Sequence, residues 1–352
     1  MFGLVDQGWD DASCKPCDEA LEAQYGSDLR SALACPPPTP LSACGRGLLR
    51  VLRVDLADSR GPVAARAAAG SLLRPEDEYY LQIDSHSIFG PRWDARVIAM
   101  LHEAGEVHNR RHGCGRGEDH VVVSAYPNEY TQAMFDCNDD LPCVLAASRR
   151  DAFATALGAP NVAINCLSFV VKATRLTYHQ GMGFPPTEKT SRYAPLWAAG
   201  FSFSTAQTWR DVPYVEGLDF LFHGEELLHA ARMWTRGIDI FAPSSNVIYH
   251  KYAHRHSPSV YTSVAYTNRR SVQDLSVARV KSILSAPLTP NDAHALATAP
   301  PLPPSSALGQ ARSIDQFWAF TGINISSLTF SQRCIDHAAD GAYLNLLPPI
   351  HA

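Results

Sequence analysis

A short apolar run that ends in a carboxylate and an imidazole constrains this chain more than any other feature. Residues 79–83 read Tyr-Tyr-Leu-Gln-Ile, which is typical of a short strand, and Asp84-Ser85-His86 follow directly. Because side chains alternate along an extended strand, Asp84 and His86 point to the same side and can share one ion. Strands of α/β proteins present divalent metals to bound nucleotides at their carboxyl ends in this way. An Asp-x-His tripeptide is also common in turns, so the segment alone leaves both interpretations open.

The size, composition and charge of the chain exclude several classes of protein. With 352 residues, 46% of them hydrophobic, it can bury a sizeable core in one large α/β domain or two modest ones. The formal net charge of -5 at pH 7 argues against nucleic acid as the main partner. No uninterrupted apolar stretch is as long as a membrane helix requires, so we expect no membrane segment in this chain.

The nine cysteines do not form the pattern of a disulfide scaffold. Four of them, Cys14, Cys17, Cys35 and Cys44, cluster in a proline-rich stretch over residues 8–47. The first two have the spacing of half a zinc knuckle, but the other gaps are irregular. We expect residues 8–47 to be an insertion, and either a structural zinc or a plain surface loop is compatible with its cysteines.

Strand-like and helix-like segments alternate along the rest of the chain, which predicts an α/β fold with a mixed central sheet. Strand patterns occur at 1–7, 48–54, 79–83, 121–127, 197–204, 238–243 and 246–250. Helical patterns occur at 58–73, from 91 onwards, at 227–236 and at 268–284.

Two stretches are predicted to lie outside these elements. Residues 108–120 are rich in His, Arg and Gly, and their histidine spacing matches no metal site, so we expect a mobile, solvated loop. Residues 286–311 are rich in Pro, Ala and Ser and are expected to form a linker. The predicted organisation is one domain over 1–255 and a C-terminal helical extension over 256–352.

Three segments of the chain resemble a known family. The first is the string YYLQIDSHSIFGPRWDARVIAML, and the second is the G-P-x-x-A-R pattern that ends at Arg66. The third begins with the G-E-E start of a helix at Gly224 and continues through Arg232 and Gly237 to a strand that ends in His250. Together they resemble the N-acetylglucosaminyltransferases that modify hydroxyproline of a cytoplasmic ubiquitin-ligase adaptor. The resemblance implies a GT-A-like, Rossmann-type nucleotide-sugar domain and a cytoplasmic location.

The resemblance also implies a set of site residues and ligands. Asp84, His86 and His250 would hold Mn²⁺ or Mg²⁺, which would bind the diphosphate of a UDP-sugar donor, UDP-GlcNAc in this family. The acceptor would be a protein hydroxyl such as hydroxyproline, with retention of anomeric configuration. The implied catalytic residues are Glu225 and Glu226. The substrate-binding candidates are Arg66, Trp197, Gly200, Phe201 and Asp219.

The residues themselves leave simpler explanations open. Negative charge at a helix start is favoured by the helix dipole, which is sufficient to explain adjacent glutamates at Glu225 and Glu226. Arg66 could be a solvated helix residue, and His250 a buried strand histidine.

Two other functions also remain open. The first strand of the family, with its nucleotide-binding loop, has no counterpart here, so we expect a domain that lacks it. A catalytically impaired, sugar-nucleotide-binding homologue is therefore an alternative. Two histidines and one carboxylate also form the facial triad of non-haem Fe(II) oxygenases, although those enzymes usually carry His-x-Asp on an all-β fold.

Overall fold

The structure, a computed structural model, describes most of the chain outside its cysteine-rich insertion. It covers residues 2–7, 49–84, 87–90, 92–113, 117–129, 162–171, 176–184, 188–190, 192–250, 252, 269–331, 348 and 350. Several predicted features lie outside these residues, namely the proposed ligand His86, the insertion at 8–47, and the cysteines Cys14, Cys17, Cys35 and Cys44.

Strands and helices alternate along the described residues as the sequence predicts. The strands are β1 (Phe2–Gln7), β2 (Leu49–Val54), β3 (Tyr79–Ile83), β4 (Ser87–Phe89), β5 (Val121–Ser124), β6 (Asn128–Glu129), β7 (Val162–Val171), β8 (Leu176–Phe184), β9 (Phe201–Thr205), β10 (Asp239–Phe241), β11 (Ile248–His250), β12 (Ile323–Asn324) and β13 (Thr329–Phe330). The α-helices are α1 (Pro62–Gly70), α2 (Trp93–His112), α3 (Ala206–Asp211), α4 (Glu225–Thr235), α5 (Arg270–Ile283), α6 (Pro290–Thr298) and α7 (Ile314–Thr321).

The central sheet has the strand order β10-β5-β9-β3. β10 and β5 run parallel, whereas β9 is antiparallel to both β5 and β3, so the sheet is mixed. All four residues of β5 are buried, and its Val-Val-Val run is the near-continuous apolar pattern of a strand covered on both faces. The α/β class and the mixed sheet predicted from the sequence are therefore confirmed.

A second, smaller sheet lies next to the end of β3. Its order is β4-β11-β6, with β11 antiparallel to β4 and parallel to β6. The antiparallel register places His250 opposite Ser87, only three residues after Asp84. This pairing brings the end of β11 to the same place as the end of β3.

Helix α2 covers the central sheet with one apolar face. Val97, Leu101 and Ala104 recur at helical spacing and are at most 1% exposed. His108 continues the same face one turn later and is also fully buried, because its ring pairs with Asp239. The prediction of a solvated loop from residue 108 is therefore wrong for the end of this helix, since a buried hydrogen bond to Asp239 replaces the solvent.

Residues 286–311, expected as a linker, contain regular structure in the described part of the chain. Thr289 and Asp292 form a capping box at the start of α6. Lys281 on α5 donates to Asp292 at 2.9 Å and joins the two helices. The division at residue 255 stays a prediction. Among the described residues, no helix is both long and apolar enough to cross a bilayer.

Candidate functional site

Asp84 and His250 meet where β3 and β11 end. The Asp84 amide donates to the Gly200 carbonyl at 3.3 Å, which ties the residue after β3 to the residue before β9. His250 Nε2 lies 3.8 Å from Asp84 Oδ2. The Asp84 side chain is 39% exposed and the His250 side chain only 8%. The fold thus brings together two of the three metal ligands that the sequence resemblance implies, and the third, His86, lies outside the described residues.

The two ligand atoms have a separation that suits a shared cation. Metal bonds from carboxylate oxygen and imidazole nitrogen are about 2.0–2.2 Å long, so one ion can contact both atoms when they are less than about 4.2 Å apart. The observed 3.8 Å satisfies this condition. A Cβ on Gly200 would lie 3.1 Å from Asp84 Oδ2, so the glycine leaves space beside the same oxygen. The residues present therefore fit a divalent cation.

Arg66 on α1 connects Asp84 with Glu225. Its Nη1 lies 2.7 Å from both carboxylate oxygens of Glu225, and its Nη2 donates to Asp84 Oδ1 at 3.0 Å. Burial alone would lower the pKa of Arg66, but the neighbouring carboxylates, Glu225 foremost, raise it above its ordinary value. Arg66 therefore stays charged and is held between two carboxylates.

Glu225 is enclosed by further polar groups. Its side chain is 4% exposed, and the Tyr214 hydroxyl lies 2.8 Å from its Oε1 and 2.9 Å from Gln82 Oε1. Gln82 in turn donates to the Ala199 carbonyl at 2.8 Å. Burial, followed by the charge of Glu225, raises the pKa of Tyr214 well above its ordinary value, so the phenol keeps its proton.

Glu226, the next residue, has a different environment. Its Oε1 accepts from the Ala199 amide at 2.9 Å, and its Oε2 accepts from the Tyr126 hydroxyl. Its side chain is half-buried, whereas that of Glu225 is buried. Burial raises the pKa of Glu226 to about 7, even though both hydrogen bonds oppose this shift. A carboxyl group that gains and loses a proton near neutral pH is suited to general acid or base chemistry.

The remaining predicted substrate residues lie in other surroundings. Trp197 and Phe201 are 1% and 3% exposed and pack in the core, where Trp197 Nε1 donates to Ser202 at 2.9 Å. The Asp219 carboxylate lies 3.9 Å from the Arg60 guanidinium. The backbone carbonyl of Asp219 accepts a hydrogen bond from the Ser276 hydroxyl at 2.7 Å.

Three tyrosines near the site were missed by the sequence reasoning, namely Tyr126, Tyr214 and Tyr252. Tyr126 follows strand β5 almost directly, which is the same strand-end signal that identified Asp84. Tyr252 lies with its ring centroid 4.5 Å from that of His250 and is 47% exposed, while its hydroxyl donates to the Pro127 carbonyl at 2.7 Å. A strand-end pattern could have found Tyr126.

A family model described as "Glycosyltransferase (GlcNAc)" matches residues 22–327 of this chain. The chain belongs to this family of glycosyltransferases. No curated protein matches the chain.

Among solved structures, this family member is similar to one described as "Crystal structure of GalNAc-T7 with UDP, GalNAc and Mn2+". The two share 14% sequence identity with a TM-score of 0.37, and the match covers 72% of this chain and 39% of that one.

This glycosyltransferase family member has a second cluster of possible metal ligands, His108, His112 and Asp239, which we call the Asp239 cluster. One ligand atom from each residue lies within 4.8 Å of the others, close enough to bind one ion. The carboxylate is already engaged, because Arg312 Nη1 lies 2.7 Å from Oδ1 and the Tyr193 hydroxyl donates to Oδ2 at 2.6 Å.

The electrostatics of the Asp239 cluster explain how a buried carboxylate is tolerated there. His108 Nδ1 lies 2.8 Å from Asp239 Oδ2, and the Asp239 side chain is 1% exposed. Burial alone would raise the pKa of Asp239, but its hydrogen bonds to the histidines and the charge of Arg312 lower it well below its ordinary value. The geometry favours a structural ion-pair cluster that joins α2, β10 and the segment before α7.

Proposed function

We propose that this chain is a metal-dependent glycosyltransferase that moves N-acetylglucosamine from UDP-GlcNAc to a hydroxyl of a protein acceptor, such as hydroxyproline. The family membership supports sugar transfer. The proposed metal dependence rests on one observation, the 3.8 Å separation of Asp84 Oδ2 and His250 Nε2. These two residues are distant in sequence, and they meet where the Asp84 side chain is partly exposed.

Asp84 and His250, with His86 as the third ligand, would hold Mn²⁺ or Mg²⁺. Bound there, the cation supplies positive charge that stabilises the negative charge growing on the UDP diphosphate as the glycosidic bond breaks. Gly200 leaves room beside Asp84, so the donor phosphates can approach the backbone closely.

Glu226 is the residue that we propose to act on the acceptor. Its half-buried carboxylate is fixed by Tyr126 and the Ala199 amide, so it can accept a hydrogen bond, or the proton, from the acceptor hydroxyl. We propose that attack takes place on the face from which UDP leaves, which retains the anomeric configuration and requires no protein nucleophile. Glu225 would contribute through Arg66.

The test measures UDP release and sugar transfer by the purified chain with UDP-GlcNAc, Mn²⁺ and a hydroxyproline-containing peptide. We expect transfer that EDTA abolishes and added Mn²⁺ restores. UDP-GalNAc and UDP-glucose are the matched donor controls, and a serine or proline peptide is the acceptor control. Preference for another donor would overturn the sugar assignment and leave the reaction class in place.

Two outcomes would overturn the proposed reaction. Calorimetry that shows UDP and Mn²⁺ binding without UDP release would identify a catalytically impaired homologue. Oxygen consumption that depends on Fe²⁺, without any use of UDP-sugar, would identify an oxygenase.

A further inference from the structure

The two oxygens of Asp84 have different surroundings. Oδ1 accepts from Arg66 Nη2 at 3.0 Å, whereas Oδ2 lies 3.8 Å from His250 Nε2 and next to Gly200. The guanidinium therefore occupies one oxygen and leaves the other for a cation. Since a carboxylate rotates readily about its terminal bond, a partner on one oxygen is needed to fix which oxygen faces the ligand.

The charge of Arg66 creates a difficulty that Glu225 resolves. An uncompensated guanidinium 3.0 Å from Asp84 would compete with a cation for the carboxylate and repel it. Glu225 places both carboxylate oxygens 2.7 Å from Arg66 Nη1, from a position that is only 4% exposed. In this low-dielectric position the countercharge acts strongly on Arg66.

We propose that Arg66 and Glu225 form a positioning pair for the cation site, in which Arg66 orients Asp84 and Glu225 neutralises Arg66. The two residues act through Asp84 and are not themselves metal ligands. The Asp84, Arg66 and Glu225 group then has a net charge of -1, which favours a divalent cation, and presents a single oxygen to it. This inference rests on the cation site of the proposed function.

The Tyr214 hydroxyl and Gln82 extend the pair into the core. Tyr214 lies 2.8 Å from Glu225 and 2.9 Å from Gln82, and Gln82 donates to the Ala199 carbonyl at 2.8 Å. Glu225 is thereby fixed relative to the turn that precedes β9. The orientation of Asp84 is thus set by contacts with the folded core as well as by its own strand.

The test measures Mn²⁺ affinity in the presence of UDP by electron paramagnetic resonance of free Mn²⁺, which requires no turnover. For Glu225→Gln, we expect a dissociation constant about 10- to 100-fold above that of the wild type, the usual effect of changing a residue that holds a metal ligand. Arg66→Lys keeps the charge but loses the planar fork, so a smaller rise in the same direction is expected.

The double variant Arg66→Met/Glu225→Gln separates charge compensation from a merely structural role. It removes the repelling charge together with its countercharge, so we expect it to bind Mn²⁺ more tightly than Glu225→Gln alone. If both residues only supported the fold, the double variant would bind as weakly as the single variant or more weakly. That result would overturn the inference.

The control is Asp292→Asn, which breaks an ion pair of similar length in another part of the fold, at 2.9 Å from Lys281. We expect it to bind Mn²⁺ with wild-type affinity. Wild-type affinity in Glu225→Gln, with Mn²⁺ binding intact in the wild type, would overturn the positioning pair and leave the proposed function standing. Absence of Mn²⁺ binding by the wild type would overturn both.

Discussion

Two aspartates of this chain have similar neighbours and different geometry. Asp84 lies 3.0 Å from Arg66 and 3.8 Å from His250, and its side chain is 39% exposed. Asp239 lies 2.7 Å from Arg312 and 2.8 Å from His108, and its side chain is 1% exposed. Each therefore combines an arginine and a histidine around one carboxylate, and the amino-acid types alone do not distinguish them.

The difference lies in the gap between carboxylate and imidazole. Around Asp239 the donors contact the carboxylate directly, so they satisfy its charge. At Asp84, the distance from Oδ2 to His250 Nε2 is 3.8 Å. This is longer than a hydrogen bond and shorter than the combined length of two metal–ligand bonds. The first arrangement stabilises a fold, and the second is suited to binding an ion.

The largest effect on stability is expected for Asp239→Asn. This change leaves the Arg312 guanidinium, which is fully buried, without its countercharge, so we expect the free energy of unfolding to fall by about 3–5 kcal/mol. Chemical denaturation monitored by circular dichroism measures it. The control is Glu106→Gln, which breaks the ion pair between Glu106 and Arg110 on helix α2. Their side chains are 67–68% exposed, so this change should lower the free energy of unfolding by less than about 1 kcal/mol.

A metal at the Asp239 cluster would give a different pattern. Addition of Zn²⁺ or Mn²⁺ would then raise the Tm of the wild type by more than that of Asp239→Asn, in which only the proposed site at Asp84 remains. Such a result would contradict the distinction drawn between the two aspartates.

The corresponding change at the other aspartate should affect activity instead. In Asp84→Asn a neutral amide replaces the proposed metal ligand, so we expect sugar transfer to fall more than about 100-fold. Because the side chain is 39% exposed, we expect the unfolding free energy to change by less than about 1 kcal/mol. Transfer rates and denaturation curves of the same preparation check both expectations. Full activity, or a loss of stability as large as that of Asp239→Asn, would contradict them.

The pH dependence of transfer should report on Glu226. Burial raises its pKa to about 7, so the carboxylate is protonated below that pH and cannot accept a proton from the acceptor. The transfer rate should therefore fall about tenfold per pH unit below pH 7 and level off above it. Glu226→Gln should lower the plateau by about 100-fold and remove this dependence.

A pH profile of Glu226→Gln that keeps the wild-type inflection would assign the titration to another group. Tyr126→Phe offers a second check on the same carboxyl. It removes a hydrogen bond that lowers the Glu226 pKa, so the inflection should move to higher pH.

The sequence was sufficient for those parts of the fold and site that depend on local pattern. Strand β5 and helix α4 follow from apolar runs and helical spacing, and the strand end at residue 83 indicates Asp84. His250 as a metal ligand follows from the family resemblance. The contacts of Arg66 depend on packing between elements that are distant in sequence. A local pattern at Arg66 cannot indicate that Glu225 will lie 2.7 Å away.

The end of helix α2 shows why the remaining features could not be predicted. His108 and its polar neighbours resemble a solvated segment, since buried histidines require partners and the partner Asp239 lies far along the chain. Gly113 adopts the left-handed conformation with φ of 70° and ends helix α2. It lies within residues 108–120, the His-, Arg- and Gly-rich segment that is predicted to be a loop. Only the assembled fold supplies the hydrogen-bond partner that makes burial of His108 favourable.

The smallest expected effect comes from closing the space beside Asp84. Gly200→Ala introduces a Cβ about 3.1 Å from Asp84 Oδ2 and 3.5 Å from the Pro127 ring, at a backbone conformation open to alanine. Since the carboxylate must shift by a few tenths of an ångström, we expect transfer to fall about three- to tenfold, with a higher requirement for Mn²⁺.

Gly113→Ala is the matched control, because its Cβ would meet no atom within 4 Å while its φ of 70° is strained for alanine. It should lower the unfolding free energy by about 1 kcal/mol and leave transfer unchanged. Equal effects of the two variants on transfer would mean that the space beside Asp84 Oδ2 has no part in binding, and Asp84 would then resemble Asp239 in function as well as in composition.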